Sequence, residues 1–138
     1  MSEIKVDTLT GKTSAGDITV TSEGGAATMQ LQQGLAKAWV NFNGTGTIAI
    51  RDSFNVSSLN DDGTGKYDVV LANNMTDGNY AGIGIGAANT TDSDGETTGQ
   101  CRRIVPTSSL FGVRGHQVAA GAFSDIELVY GLAHGDLA

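Results

Sequence analysis

Apolar and polar positions alternate with a period of two over much of the chain beyond residue 38. Val40 and Phe42 share one parity and Trp39, Asn41 and Asn43 the other. Ile48 and Ile50 recur two apart, as do Phe54 and Val56, and Tyr67, Val69 and Leu71 alternate with Asp68, Val70 and Ala72. Successive side chains on a strand point to opposite faces, so this pattern predicts short strands with one inward face each. Asn43-Gly44 and Asp62-Gly63 punctuate them, since Asn or Asp before Gly supplies the positive φ of tight hairpin turns. Two more strands are predicted, one over 80–87 after Asp77-Gly78, the other over 124–131 with Ile126, Leu128 and Tyr130 facing one way. Residues 39–138 thus read as an antiparallel β domain, a sandwich or barrel, and the fold class is mainly β.

The front of the chain reads differently. Over residues 1–25 the large apolar residues after Met1 are only Ile4, Val6, Leu9, Ile18 and Val20, too few to fold alone. An extended N-terminal arm is expected, laid as a strand on a neighbouring subunit or another protein. Residues 26–38 have helical composition: Thr28 can cap, and Leu31, Leu35 and Ala38 fall at i, i+4 and i+7. A short α-helix is predicted there, weakened by Gly34 and needing copies of itself or a sheet to pack on.

Composition adds the reason to expect an oligomer. The chain has 138 residues, 39% of them hydrophobic, with 20 glycines, one proline and one cysteine. Cys101 has no partner for an intrachain disulfide, so burial between subunits is the expected substitute for a thin core. A net charge of −7 argues against a nucleic-acid partner, which needs clustered Lys and Arg. No apolar run approaches a bilayer span, so no membrane partner is expected. Met1-Ser2-Glu3-Ile4-Lys5 lacks the pattern of a signal peptide, and synthesis in a cytoplasm is the expectation.

Motifs that carry chemistry are weak. Gly82-Ile83-Gly84-Ile85-Gly86-Ala87 spells a dinucleotide fingerprint, but Asn89-Thr90-Thr91-Asp92 follows where a helix is needed. Gly alternating with Ile is better explained by a strand whose bare face admits a large side chain or another backbone. Asp92-Ser93-Asp94-Gly95-Glu96, within the polar loop expected over 88–100, is half a calcium loop without its remaining ligands. His116, His134 and Cys101 have neither nucleophile-elbow context nor metal-ligand spacing. Arg102-Arg103 and Arg114 could pair with carboxylates of a neighbouring copy. The expectation is no enzyme: no catalytic residue, no metal, no cofactor.

The segment Lys37-Ala38-Trp39-Val40-Asn41-Phe42-Asn43-Gly44-Thr45-Gly46-Thr47, continuing through Ile50-Arg51-Asp52-Ser53-Phe54-Asn55-Val56-Ser57-Ser58, resembles a module of tailed-phage virion and tail-fibre-like proteins. The opening Ile4-Lys5-Val6-Asp7-Thr8-Leu9 and the closing Gly135-Asp136-Leu137-Ala138 extend the resemblance to both ends. It implies a structural protein of a tailed-bacteriophage virion, assembled in the bacterial cytoplasm; the homotrimer is expected separately, from the thin core, the arm that cannot fold alone and the short Leu31/Leu35 helix, all of which need burial from copies. Two places in the particle follow from the resemblance: a tail-fibre or tail-associated subunit docked on a tail protein, or a decoration (cement) protein docked on the major capsid protein. A third reading is a host-glycan-binding module using exposed aromatics such as Trp39 or Tyr80. For the oligomer and partner contacts the expected residues are Ile4, Val6, Leu9, Leu31, Leu35 and Trp39.

Overall fold

A computed structural model describes residues 3–87, 98–100, 104–117 and 122–138, and in it the period-two segments form strands. In chain order these are β1 (Thr19–Thr21), β2 (Thr28–Gln30), β3 (Ala38–Asn43), β4 (Ala49–Phe54), β5 (Val56–Asp61), β6 (Lys66–Leu71) and β7 (Ala81–Ala87). After them come β8 (Thr98–Gln100), β9 (Ile104–Thr107), β10 (Leu110–Arg114), β11 (His116–Gln117), β12 (Ala122–Phe123) and β13 (Leu128–His134). The chain divides into two compact units, Met1–Leu35 and Ala36–Ala138.

The larger unit is an antiparallel sandwich. One sheet runs β4-β3-β13-β7-β8, the other β5-β6-β10-β9, and β11-β12 form a separate two-stranded ribbon. The inner faces bury Ala38, Val40 and Phe42 from β3 and Val129 and Ala133 from β13 against Tyr67, Val69 and Leu71 from β6 and Phe111 and Val113 from β10. Each large side chain so buried contributes about 1.5–3 kcal/mol before ordering costs. Gly82, of the run expected to leave a bare strand face, lies here together with Gly131 of β13. A Cβ on Gly131 would lie 3.0 Å from the Phe111 ring and 3.1 Å from Val40, and one on Gly82 3.8 Å from Phe111. Phe111 therefore rests on a glycine floor, and Ile83 and Ile85 are left to the opposite face.

The chain passes from one sheet to the other at Asn55, between β4 and β5, with φ of 55°. Asn tolerates this left-handed conformation better than other side-chain-bearing residues. Its amide also fixes the crossover, donating to the carbonyls of Lys37 (2.9 Å) and Asn73 (3.1 Å) and accepting from the Asn73 backbone N–H (2.7 Å).

The smaller unit departs from expectation. Residues 28–30 are strand, and the predicted helix is reduced to a single 3-10 turn, Gln32–Gly34. Thr28 caps nothing; it pairs with Thr21 in the β1-β2 hairpin, and Gly24-Gly25 lie at the hairpin's turn, Gly25 with φ of 71°. A helix needs more than one apolar stripe in a short run with Gly34 in it, and cross-strand pairing satisfies the same backbone groups without a helical nucleus. Ala38, predicted on the helix face, instead opens β3. None of the described residues 3–35 is buried. The expected arm thus keeps its thin packing but is partly a hairpin, and the compact division falls at residue 35, not 25 or 38.

Candidate functional site

Strand parity on the five-stranded sheet leaves one side chain out of two on its outer face. The pairing aligns them into two rows across the strands. One row is Ile83-Leu132-Trp39-Phe54; the next is Ile85-Tyr130-Asn41-Asp52. Exposure of Trp39, Tyr130, Phe54, Ile83 and Ile85 ranges from 36% to 62%. Between them lies an open depression of about 520 Å³, its lining side chains apolar except Asn41. An outer sheet face normally alternates to polar residues, so a contiguous apolar face marks a contact surface.

The second row turns polar at Asp52 on β4 and, next to it, at Asn41. The Asn41 Oδ1 is buried and has no hydrogen-bond donor. Asp52, beside it on β4, turns its own carboxylate to the Ser53 backbone N–H at 2.8 Å.

Of the residues expected to make contacts, only Trp39 belongs to this face. Ile4, Val6 and Leu9 are strongly exposed in the smaller unit, with Ile4 at 84%, and Leu31 and Leu35 flank its 3-10 turn. Ile83, Ile85, Tyr130, Leu132 and Phe54 went unassigned because parity separates two faces without saying which is inward. The signal that could have found Ile83 and Ile85 is the glycine spacing: if the bare face receives Phe111, the isoleucines must face out.

Several expectations are corrected. Tyr80 is no glycan platform: it is buried, and its hydroxyl donates to the Leu110 carbonyl at 2.7 Å. Ile126 is buried in the core while Tyr130 faces out, because Ile126 precedes β13 and does not share its parity. Arg114, read as able either to pair with a neighbouring copy or simply to serve solubility, is buried within its own chain. It donates to the Tyr67 carbonyl at 2.7 Å and pairs with Asp68 at 3.2 Å and Asp62 at 3.8 Å. Asp92, Asp94, Glu96, Cys101, Arg102 and Arg103 lie outside the described residues. Among the described residues no three His, Cys, Asp or Glu side chains converge as a metal-binding group.

The Arg114 cluster has a pH signature. Burial, then the nearby Asp62 charge, hold the Asp68 carboxyl above its ordinary value of 3.8, against the pull of Arg114. A carboxyl raised in the folded state favours the protonated fold: the stabilisation is full below the unfolded value and is lost as pH rises through the folded one. Wild type is therefore expected to gain stability relative to Asp68→Asn, which cannot titrate, as pH falls from 7 towards 4. Thermal melts of both proteins across that range check it; a difference that does not move with pH overturns it.

No protein-family model, curated protein or solved structure matches the chain.

Proposed function

We propose that this chain is a non-enzymatic structural subunit of a tailed-phage virion, tail-associated, and assembled as a homotrimer through the outer face of its five-stranded sheet. The observation that carries this reading is the apolar row Ile83-Leu132-Trp39-Phe54 with Ile85 and Tyr130 beside it. Burying them removes apolar surface from water at roughly 25 cal/mol per Å², and a second copy offers the same chemistry. The aliphatic half of the face, Ile83, Ile85 and Leu132, disfavours the glycan reading, because sugar recognition needs polar partners for its hydroxyls. The virion assignment is supported by the Lys37–Ser58 resemblance. The exposed Ile4, Val6 and Leu9, in a unit none of whose described residues is buried, support docking of the front of the chain on another particle protein.

Sedimentation equilibrium at micromolar concentration tests the oligomer: the trimer mass is expected, and a folded monomer overturns it. Counting copies per purified particle tests the position. A few to a few dozen copies support the tail, whereas hundreds move the subunit to the head as a decoration protein.

A further inference from the structure

Asn43-Gly44 is the chain's single Asn-Gly pair, and the β3-β4 turn needs its two residues for separate reasons. Gly44 gives room, since a Cβ there would come within 2.6 Å of the Ile126 carbonyl oxygen and the Tyr67 hydroxyl. Asn43 gives an amide that clasps Thr45. Its Nδ2 donates to the Thr45 carbonyl at 2.8 Å, and its Oδ1 accepts from the Thr45 hydroxyl at 2.8 Å and the Thr45 backbone N–H at 3.2 Å. A carboxylate could accept here but not donate. The same pair is chemically labile: glycine sets no side chain in the way of its own nitrogen, which can attack the Asn Cγ. In this fold that nitrogen is engaged. Gly44 is buried, its N–H donates to the Ile126 carbonyl at 2.9 Å, and its carbonyl accepts from the Tyr67 hydroxyl at 2.7 Å. Nucleophile and electrophile are each held by hydrogen bonds that the reaction must break.

We propose that Asn43-Gly44 is a latent deamidation site, closed by the fold and reactive only when the β3-β4 turn opens. In the open turn the Gly44 nitrogen gives its proton to solvent and attacks Asn43 Cγ. A bond forms between that nitrogen and Cγ, the Cγ–Nδ2 bond breaks, and ammonia leaves after taking a proton from solvent. Water then opens the five-membered imide at one carbonyl or the other, leaving aspartate or isoaspartate at position 43 and one added negative charge. Neither product lets the turn close as before. Aspartate sets a carboxylate oxygen against the Thr45 carbonyl where Nδ2 had donated. Isoaspartate lengthens the main chain by a methylene just before Gly44, a position already too crowded to carry a Cβ. The Gly44 carbonyl seats the Tyr67 hydroxyl of the other sheet, so a reacted turn loosens the contact between the sheets for good.

Peptide mapping by mass spectrometry tests this on the full chain held folded at pH 8.5 and 37 °C, with the tryptic peptide 38–51 in the same buffer as the unfolded reference. Asn41-Phe42 in that peptide is the internal control, slow because the Phe side chain hinders its nitrogen. Asn43 is expected to convert in the free peptide ahead of Asn41, and at least about a hundredfold more slowly in the folded chain. Tyr67→Phe frees the Gly44 carbonyl and Thr45→Ala removes one bond to the Asn43 amide, and both leave the reacting atoms in place. Each is expected to speed conversion in the folded chain by about tenfold, with circular dichroism confirming the fold at the incubation temperature. Should Tyr67→Phe be unfolded there, Thr45→Ala alone decides. Folded wild type converting within about tenfold of the peptide overturns the protection. Variants that convert at the wild-type rate overturn gating by the turn, and a peptide in which Asn43 is no faster than Asn41 overturns the site itself.

Discussion

Ile85→Glu is expected to separate the copies while leaving each subunit folded. Ile85 is 62% exposed on β7, and its strand neighbours Gly84 and Gly86 occupy the inner face, so the substitution removes little from the sandwich core. Surface changes of this kind stay within about 0.5 kcal/mol of neutral for folding. Against a second copy the same side chain places a carboxylate among Tyr130, Leu132 and Trp39 without a cation to meet it. An unpaired charge buried in a contact costs several kcal/mol, and each ~1.4 kcal/mol is tenfold in affinity. Association should weaken by about a thousandfold or more, with the thermal midpoint of the subunit nearly unchanged. Ser58→Glu, on exposed β5 of the other sheet, should leave the assembled mass as it was. Sedimentation velocity at matched concentrations separates the two outcomes. An Ile85→Glu protein of unchanged mass shows that this face is free in the assembly.

Much of the sandwich was legible because its strands obey parity. Val40 and Phe42, and Tyr67, Val69 and Leu71, are the inward sets that the alternation predicts. The Asp62-Gly63 turn also holds, with Gly63 at φ of 103° and Gly65 at 64° between β5 and β6. The Asn43-Gly44 turn does so only in part. The positive φ falls on Gly46, whereas Gly44 is needed for room: a Cβ there would come within 2.6 Å of the Ile126 carbonyl oxygen and the Tyr67 hydroxyl. The helix over 26–38 was misread because helix composition in a short segment is a weak signal beside pairing with residues 19–21. The outer face was illegible for a different reason. Its two rows join β7, β13, β3 and β4, and only the sheet order brings Ile83 and Ile85, Leu132 and Trp39 together. No local pattern encodes that order.

Tyr67 is the residue whose loss should cost the subunit most. Its ring is buried near the start of β6 and meets Phe42 of the facing sheet edge-to-face at 5.2 Å. Its hydroxyl donates towards the Gly44 carbonyl at 2.7 Å and Asp125 Oδ1 at 3.2 Å, and accepts from the Ile126 backbone N–H at 3.3 Å. One side chain thus joins both sheets, the β3-β4 turn and the approach to β13. Tyr67→Phe keeps the ring and strands the Gly44 carbonyl and the Ile126 N–H, which should cost about 1–3 kcal/mol. Tyr67→Ala adds the cavity of a lost aromatic and should reach about 4 kcal/mol or more, a large share of a small domain's stability. The hydroxyl also sets an alkaline limit. Burial first, and then the Asp125 charge, push it from 10.0 up to about 12, so the folded state keeps a proton that the unfolded chain releases. The sign follows: this stabilisation is complete below pH 10 and is lost as pH rises from 10 to about 12. About 3 kcal/mol is at stake across that interval, two units at ~1.4 kcal/mol each. Tyr67→Phe lacks the titration, so urea midpoints of wild type should fall faster than those of the variant between pH 9.5 and 12, narrowing the gap that separates them at pH 7. Midpoints that fall in parallel would mean that the hydroxyl ionises in the fold as readily as in water, and that its three hydrogen bonds do not bind the sheets together.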